Sequence, residues 1–347
     1  MPVLITGGCG FIGTNLAHRL LSGGRAVHLF DNLTSPGAEQ NLQWLREEHQ
    51  ELLTTEIGDV RDWRGLEKAL ENASEVYHLA SQESASSSLQ EPLVDFDVNA
   101  RGTLNLLNAI RESGRQIPLV FASTSKVYGP LSDLKLQSDS VRYSPCDRKF
   151  IGVDEQHALD PRRPYGCSKA AADQYVLDFA RSYALPTLVL RLGSIYGPHQ
   201  FGNENQGWVS HLLLRTLHTM PITIFGDGKQ VRDILFIEDL VNALLLAQAS
   251  MDRLKGRAFN IGGGQENTVS LIQFLDLVGK IGARMPRVKF APWRPGDQRY
   301  YASNSTSFQK ITRWFPRVGV RQGLANLYRW MVETRQVAPV ILATTGA

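Results

Sequence analysis

The sequence is poor in the residues that mark exported, metal-binding and membrane proteins. It has 3 cysteines in 347 residues, without paired spacing, so neither a disulfide framework nor a zinc motif is indicated. Its apolar runs are shorter than the roughly 20 residues that span a bilayer, and its first residues do not resemble a secretory leader. We therefore expect a cytoplasmic protein with no membrane segment and no metal.

The charge content excludes further classes of protein. The net charge is +3 and no basic run is present, so we expect neither nucleic acid nor a membrane surface as a partner. A Walker A motif and a G-x-S-x-G nucleophile elbow are also absent from the sequence. The remaining composition, with 43% hydrophobic residues, is that of an ordinary globular protein.

Short apolar runs alternate with amphipathic segments through the first half of the chain. This alternation is typical of right-handed βαβ units around a parallel sheet. Strands are expected at 2–6, 26–30, 51–56, 75–80, 118–123 and 187–192. Helices are expected near 11–22, 41–49, 61–71, 92–113 and 166–183. We predict an α/β protein with a Rossmann-type doubly wound parallel sheet.

A glycine-rich turn follows the first predicted strand. Gly7, Gly10 and Gly13 have the G-x-x-G-x-x-G spacing between a strand and a helix. Such a turn lets backbone N–H groups approach a pyrophosphate, and the helix N-terminus adds partial positive charge. Asp31 ends the second strand about 20 residues later, where a carboxylate can accept hydrogen bonds from the adenosine ribose. Because no arginine follows Asp31, we predict NAD rather than NADP.

The regular alternation ends after about residue 192. Glycine and proline then cluster between shorter strand and helix patterns, which predicts a smaller and less regular domain. We assign residues 1–192 to an NAD-binding Rossmann domain, to which segments near 230–262 can return. Residues 193–336 form the predicted C-terminal α/β substrate-binding domain, and 337–347 form a tail.

Three residues are candidates for catalysis. Tyr165 and Lys169 form Y-x-x-x-K on a predicted helix, where positions i and i+4 share one face. A nearby cation lowers the pKa of a tyrosine and makes it available as a base. Thr124 follows the preceding strand, at the carboxyl edge where open α/β sheets bind ligands. We expect Thr124 and Tyr165 to share a substrate hydroxyl.

Together these motifs resemble the extended short-chain dehydrogenase/reductase family. The segments that carry the resemblance are TGGCGFIG, GDVRD, HLAS, VNARGT, STSKVYG, YGCSK and RPGDQR. The resemblance implies an enzyme acting on a nucleotide-diphosphate sugar. Tyr165 would remove a hydroxyl proton, Lys169 would bind the nicotinamide ribose, and NAD would take the hydride and return it. The cofactor would be regenerated at each turnover and stay tightly bound, and a homodimer or homotetramer is implied.

The same resemblance implies which residues contact the ligands. The expected cofactor contacts are Gly7, Gly10, Phe11, Ile12, Gly13, Asp31, Asn32, Asp59, Val60, Leu79, Ala80, Ser81, Asn99, Ser123, Tyr165, Lys169 and Leu192. The expected substrate contacts are Gln82, Thr124, Ser194, Gln206, Trp208, Arg232, Arg294 and Arg299. Asp297 is the expected partner that orients these arginines.

Further segments narrow the resemblance to the subgroup that inverts carbon 2 of CDP-linked deoxyhexoses, of the CDP-paratose and CDP-tyvelose type. They are DNLTSPGAEQNLQWL, the long insert that precedes YGCSK, and QFGNENQGW. Dehydratases of the family carry an Asp-Glu pair after the catalytic threonine, where this sequence has Ser125 and Lys126, so elimination of water is disfavoured.

Two alternatives remain. One is a 4-epimerase of a UDP-sugar, of the UDP-glucose or UDP-glucuronate type. The other is a non-catalytic NAD-binding regulator. The second is disfavoured because Thr124, Tyr165 and Lys169 are all present.

Overall fold

A computed structural model gives the fold of residues 1–82, 87–204, 206–282, 287–294 and 296–335. The predicted tail at 337–347 lies outside the described residues. The strands are β1 Val3–Thr6, β2 Val27–Asp31, β3 Leu53–Ile57, β4 Glu75–His78, β5 Leu119–Thr124, β6 Leu136–Ser138, β7 Tyr143–Pro145, β8 Thr187–Leu192, β9 Ser194–Tyr196, β10 Ile222–Phe225, β11 Val231–Phe236, β12 Ala258–Ile261, β13 Thr268–Ser270, β14 Val288–Ala291 and β15 Tyr300–Tyr301.

Helices connect most of these strands. They are α1 Phe11–Ser22, α2 Ala38–Glu48, α3 Trp63–Leu70, α4 Ser87–Gln90, α5 Pro92–Phe96, α6 Gly102–Glu112, α7 Arg163–Ser182, α8 Trp208–Leu217, α9 Ile237–Ala249, α10 Met251–Leu254, α11 Leu271–Gly282, α12 Thr306–Thr312 and α13 Val320–Arg335. Within the described part of the chain, no helix combines the length and apolarity needed to cross a bilayer.

The main sheet has seven parallel strands in the order β3-β2-β1-β4-β5-β8-β12. The prediction of a Rossmann-type parallel sheet is confirmed, with strand bounds shifted by at most two residues. The strand order reverses between β1 and β4, and open α/β sheets bind ligands at the carboxyl ends of strands at such a switch point. The seventh strand, β12, comes from the C-terminal half of the chain and pairs with β8.

Both faces of the main sheet are covered by helices. Val3 and Ile5 point into an apolar cluster with α1, α2 and α9, whereas Leu4 points into a second cluster with α3, α6 and α7. Successive side chains of a strand alternate between faces, so a strand buried on both faces is apolar along most of its length. This explains the continuous run VLIT in β1, which is fully buried.

Most of the remaining strands form small sheets near the carboxyl edge of the main sheet. β11 pairs in parallel with β9 and β15 and antiparallel with β13, while β10 pairs with β14. Arg232 lies on β11, and Arg294 follows β14. The division of the chain near residue 192 stays a prediction.

The helix predicted over 92–113 is interrupted. A π-helical turn at Asp97–Arg101 separates α5 from α6. Such turns are frequent at functional sites, and this one carries Asn99, whose buried side chain bonds the loop that follows β4. The long polar segment 130–163 contains the short β6–β7 hairpin.

Candidate active site

A cleft of about 400 Å³ opens at the switch point, between the loops that follow β1 and β4. Gly7 has φ +69°, and a Cβ atom there would lie 2.6 Å from the backbone nitrogen of Ala80. Gly10 lines the cleft and precedes α1, whose N-terminus has no capping side chain and no acidic residue in its first turn. The first N–H groups of such a helix are unpaired, so this loop fits the pyrophosphate of a dinucleotide.

The carboxylate of Asp31 also lines this cleft. It accepts hydrogen bonds from the backbone N–H groups of Cys9, at 2.9 Å, and Leu33, at 2.8 Å. Burial raises the pKa of Asp31, and these backbone hydrogen bonds partly offset the rise. The carboxylate is therefore held rigidly at the end of β2, where it fits the adenosine ribose of NAD.

Asp59 does not belong to the cleft lining, although its neighbour Val60 does. Its carboxylate accepts hydrogen bonds from Arg61, at 2.7 Å, and from Asn32, at 3.0 Å. The hydrogen bonds from Arg61 are the main reason that the pKa of Asp59 falls to about 2. Asp59 therefore supports the cleft indirectly, through its hydrogen bond with Asn32, which does line it.

The three candidate catalytic residues all line the cleft. Thr124 ends β5, whereas Tyr165 and Lys169 lie one turn apart on α7. The hydroxyls of Thr124 and Ser81 both hydrogen-bond with the Tyr165 phenol. A substrate hydroxyl placed between Thr124 and Tyr165 would reach both groups. Ser81, predicted only as a cofactor contact, therefore also touches the candidate base.

The expectation that Lys169 lowers the pKa of Tyr165 is wrong for this structure. Burial raises the pKa of Tyr165, and only the hydroxyls of Thr124 and Ser81 oppose that rise appreciably. The Lys169 ammonium instead donates to the Ala122 carbonyl at 2.6 Å, and its burial lowers its own pKa to about 7. A phenolate near neutral pH therefore requires either a further positive charge or an ammonium that moves toward the phenol.

Asn99, another predicted cofactor contact, does not line the cleft itself but bonds two residues that do, Ser81 and Gln82. Its Oδ1 accepts from the Ser81 hydroxyl at 3.0 Å and from the Gln82 N–H at 2.9 Å. Its Nδ2 donates to Ser168, on helix α7, at 3.0 Å. Asn99 thus joins the loop after β4 to the helix that carries Tyr165.

A buried ion pair lies next to the end of β5, which carries Thr124. The Arg191 guanidinium on β8 donates two hydrogen bonds of 2.9 Å to the Asp173 carboxylate on α7. Ser123 Oγ donates to the same carboxylate at 2.9 Å, and Arg191 also donates to the Tyr128 hydroxyl at 3.0 Å. The pair joins β8 and α7 to the end of β5, and so fixes Thr124 relative to the helix that bears Tyr165.

A second pocket, of about 320 Å³, continues from the first. Its lining includes six cationic side chains and two carboxylates: Lys126, Arg162, Arg163, Arg215, Arg232 and Arg294, with Glu204 and Asp297. Both pockets share Lys126, Tyr165, Ser194, Gln206, Gly207 and Trp208. Arginine-rich concave sites suit phosphate groups, so the combined site fits a ligand that has a neutral end beside Tyr165 and an anionic part beyond it.

The two predicted arginines near the C-terminus differ in position. Arg294 lines the second pocket, with its guanidinium 3.9 Å from the centre of the Phe225 ring. Arg299 is exposed and lies outside both pockets, over the rings of Tyr143 and Trp293. We therefore retain the prediction that Arg294 contacts the substrate and withdraw it for Arg299.

The other predicted substrate residues line one pocket or both. Gln82 lines the cofactor cleft, Arg232 lines the second pocket, and Ser194, Gln206 and Trp208 line both. Sequence reasoning missed Lys126 as a lining residue. Its position two residues after Thr124 was the available signal.

The cleft, the tyrosine with its hydroxyl partners and the cationic pocket together define a dinucleotide-dependent enzyme with an anionic substrate. A family model described as "NAD dependent epimerase/dehydratase family" matches residues 3–262, and the chain belongs to this family. It is an NAD-dependent nucleotide-sugar epimerase, hence an isomerase.

Individual relatives agree with this assignment. The chain is 39% identical to a CDP-paratose 2-epimerase from Salmonella typhi over 95% of this chain and 99% of that protein. The UDP-glucose 4-epimerase of Thermotoga maritima, solved with UDP-glucose, has a TM-score of 0.82 at 30% identity, over 96% of this chain and all of that one. The Thermus thermophilus UDP-glucose 4-epimerase, solved with NAD, has the same TM-score, identity and coverage.

Proposed function

We propose that this enzyme inverts carbon 2 of a CDP-linked deoxyhexose. The observation that carries the proposal is the contact of Tyr165 with Thr124 and Ser81 where the cofactor cleft meets the cationic pocket. The similarity to the Salmonella typhi 2-epimerase along nearly the whole chain supports the choice of carbon and nucleotide. Ser125 and Lys126, in place of the acid pair of dehydratases, support epimerisation without loss of water.

The residues have distinct roles in this proposal. The substrate places its carbon-2 hydroxyl between Thr124 and Tyr165; Thr124 holds the oxygen and Tyr165 accepts the proton. Bound NAD supplies reversible acceptance of the hydride from the same carbon. The flat ketone then turns its other face toward the cofactor, and Tyr165 returns the proton to the oxygen. One proton and one hydride leave and return, so the reaction is a net isomerisation.

The remaining contacts are assigned by position. We propose that the cofactor is bound by the glycine loop, by Asp31 and Asn32, and by the segment Leu79–Ser81. We propose that Lys169 binds the nicotinamide ribose. We propose that the substrate is bound in the cationic pocket, where it contacts Arg232 and Arg294. Their place on the two pocket linings supports these roles.

A UDP-sugar 4-epimerase is the second candidate. The structural likeness to 4-epimerases over nearly the whole chain favours it. The same tyrosine and threonine would serve either reaction, because the two differ in which sugar carbon faces the cofactor. A non-catalytic regulator is not favoured, since Thr124, Tyr165 and Lys169 all line one cleft.

Assays with purified protein and no added cofactor separate these candidates. We expect carbon-2 inversion of a CDP-linked deoxyhexose, followed by NMR of the sugar protons. Turnover of UDP-galactose with no carbon-2 inversion of any sugar nucleotide would establish the 4-epimerase instead. Bound NAD with every sugar nucleotide unchanged would contradict both enzymatic proposals.

We also infer that the enzyme assembles as a homodimer or homotetramer. Leu93 and Phe96 on α5 and Tyr175 on α7 are 78%, 51% and 44% exposed, and the two helices pack together. Clustered exposed apolar side chains are typical of protein interfaces. Sedimentation equilibrium should give a mass above one chain, and Leu93→Glu with Phe96→Glu should reduce it. A wild-type monomer at micromolar concentration would contradict the inference.

We further propose that the enzyme works in the cytoplasm. The thiols of Cys9, Cys146 and Cys167 are free, which fits a reducing compartment. Cell fractionation tests this, and recovery of the enzyme from an oxidising compartment would contradict it.

A further inference from the structure

Lys126 occupies the junction between the two pockets. The residue lines both of them, and its backbone N–H donates to Thr124 Oγ1 at 3.2 Å. Lys126 is therefore tied to the residue proposed to hold the reacting hydroxyl. A nucleotide sugar that reaches from Tyr165 into the cationic pocket must pass this ammonium.

The ammonium of Lys126 is only weakly paired within the protein. Its nearest carboxylate oxygen, Asp297 Oδ1, is 3.7 Å away, and the same oxygen already accepts from Arg232 at 2.7 Å and from the Gln298 N–H at 3.1 Å. Partial desolvation of the side chain, which is 39% exposed, lowers the pKa of Lys126 to about 8, and the repulsion of Arg232 and Arg163 acts in the same direction. A phosphate group at the junction would therefore give Lys126 a stronger partner than Asp297 provides.

The junction also bears on which carbon of the sugar reacts. Carbon 2 is bonded to the anomeric carbon, which carries the diphosphate, whereas carbon 4 lies across the ring. To bring carbon 2 to Tyr165, the sugar-proximal phosphate must lie closer to the tyrosine than it would for reaction at carbon 4. Lys126 lines the junction of the two pockets, together with Tyr165, whereas the arginines line only the second pocket. Its ammonium is therefore placed to attract that phosphate toward Tyr165.

We propose that Lys126 is a specificity-determining residue whose ammonium binds the sugar-proximal phosphate of the substrate and holds carbon 2 beside Tyr165. The choice of carbon rests on the function proposed above, whereas the phosphate contact does not. Lys126 takes no part in the proton or hydride transfer. It acts by setting how deeply the hexose enters the cofactor cleft.

The phosphate contact is tested by calorimetry on NAD-loaded protein with CDP and CMP, since only CDP has the second phosphate. Lys126→Met should weaken CDP binding roughly 10- to 100-fold, the value of a charge-assisted hydrogen bond, and leave CMP binding unchanged. Lys126→Arg should restore most of the CDP affinity. Lys68→Met removes an exposed cation of α3 that is outside both pockets and should change neither affinity.

Two results would contradict the proposed phosphate contact: unchanged CDP affinity in Lys126→Met, or equal losses of affinity for CDP and CMP.

With the CDP-deoxyhexose as substrate, Lys126→Met should misplace the sugar and so lower kcat as well as raise KM. A rise in KM alone would contradict the claim that Lys126 sets how deeply the hexose enters the cleft. If the wild type inverts carbon 4 of a UDP-sugar, the proposed function fails independently. UDP and UMP then replace CDP and CMP, and the phosphate contact is judged by the same criteria.

Discussion

Replacement of Tyr165 by phenylalanine should slow epimerisation severely while NAD stays bound. The change removes only the phenolic oxygen, which hydrogen-bonds with Thr124 and Ser81 and is the group proposed to accept the substrate proton. General acid–base groups contribute about 10²- to 10⁴-fold to rate, so kcat should fall by a factor in that range. Turnover of the CDP-deoxyhexose and the absorbance of bound cofactor are the two measurements.

The control for this variant is Tyr183→Phe. Tyr183 is an exposed residue that follows α7 and lies outside both pockets. Removal of the Tyr183 hydroxyl should therefore leave kcat unchanged. Wild-type turnover by Tyr165→Phe would exclude Tyr165 as the base. Loss of NAD from Tyr165→Phe would show that the phenol is needed for cofactor binding instead.

Breaking the ion pair next to the end of β5 should have the largest effect on stability. The side chains of Arg191 and Asp173 are 5% and 0% exposed, so Asp173→Leu leaves the guanidinium buried without its counter-charge. Removal of one partner of a buried pair costs about 3–5 kcal/mol. The free energy of unfolding, measured by urea denaturation at a fixed NAD concentration, should fall by that amount.

Two further variants decide whether the ion pair is the cause. The double variant Asp173→Leu with Arg191→Met removes both charges and should be less destabilised than Asp173→Leu alone, because no unpaired charge remains. Asp178→Ala removes an exposed carboxylate of the same helix and should change the stability by less than about 0.5 kcal/mol. Equal losses for the single and double variants would contradict this account.

Much of the fold was predictable because its strongest signals are local. The apolar strand at β1, the glycine loop after it and Asp31 at the end of β2 follow one another in sequence, and the structure brings the loop and the carboxylate together at the cleft. Tyr165 and Lys169 share a helix face for the same reason. The seventh strand, β12, lies in the segment near 230–262 that is expected to return to the Rossmann domain, but its pairing with β8 across a long intervening segment leaves no mark in the local pattern.

The features that the sequence did not predict depend on tertiary contacts. Arg294 and Arg299 stand five residues apart, yet of these two only Arg294 lines the second pocket, which the local sequence does not reveal. Burial raises the pKa of Tyr165, and the hydroxyls of Thr124 and Ser81 partly oppose that rise. The Lys169 ammonium donates its hydrogen bond to a carbonyl of β5. The ammonium of Lys126 is weakly paired because its nearest carboxylate, Asp297, accepts its shorter hydrogen bond from Arg232 of β11.

Transfer of deuterium tests the central claim most directly. The NAD-loaded enzyme is incubated in ordinary water with a CDP-deoxyhexose that carries deuterium on carbon 2, and the product is examined by NMR and mass spectrometry. The proposed mechanism predicts inversion at carbon 2 with the deuterium retained there, because the hydride leaves and returns within one site. Replacement of the deuterium by solvent hydrogen, or inversion at carbon 4 with carbon 2 unchanged, would contradict it.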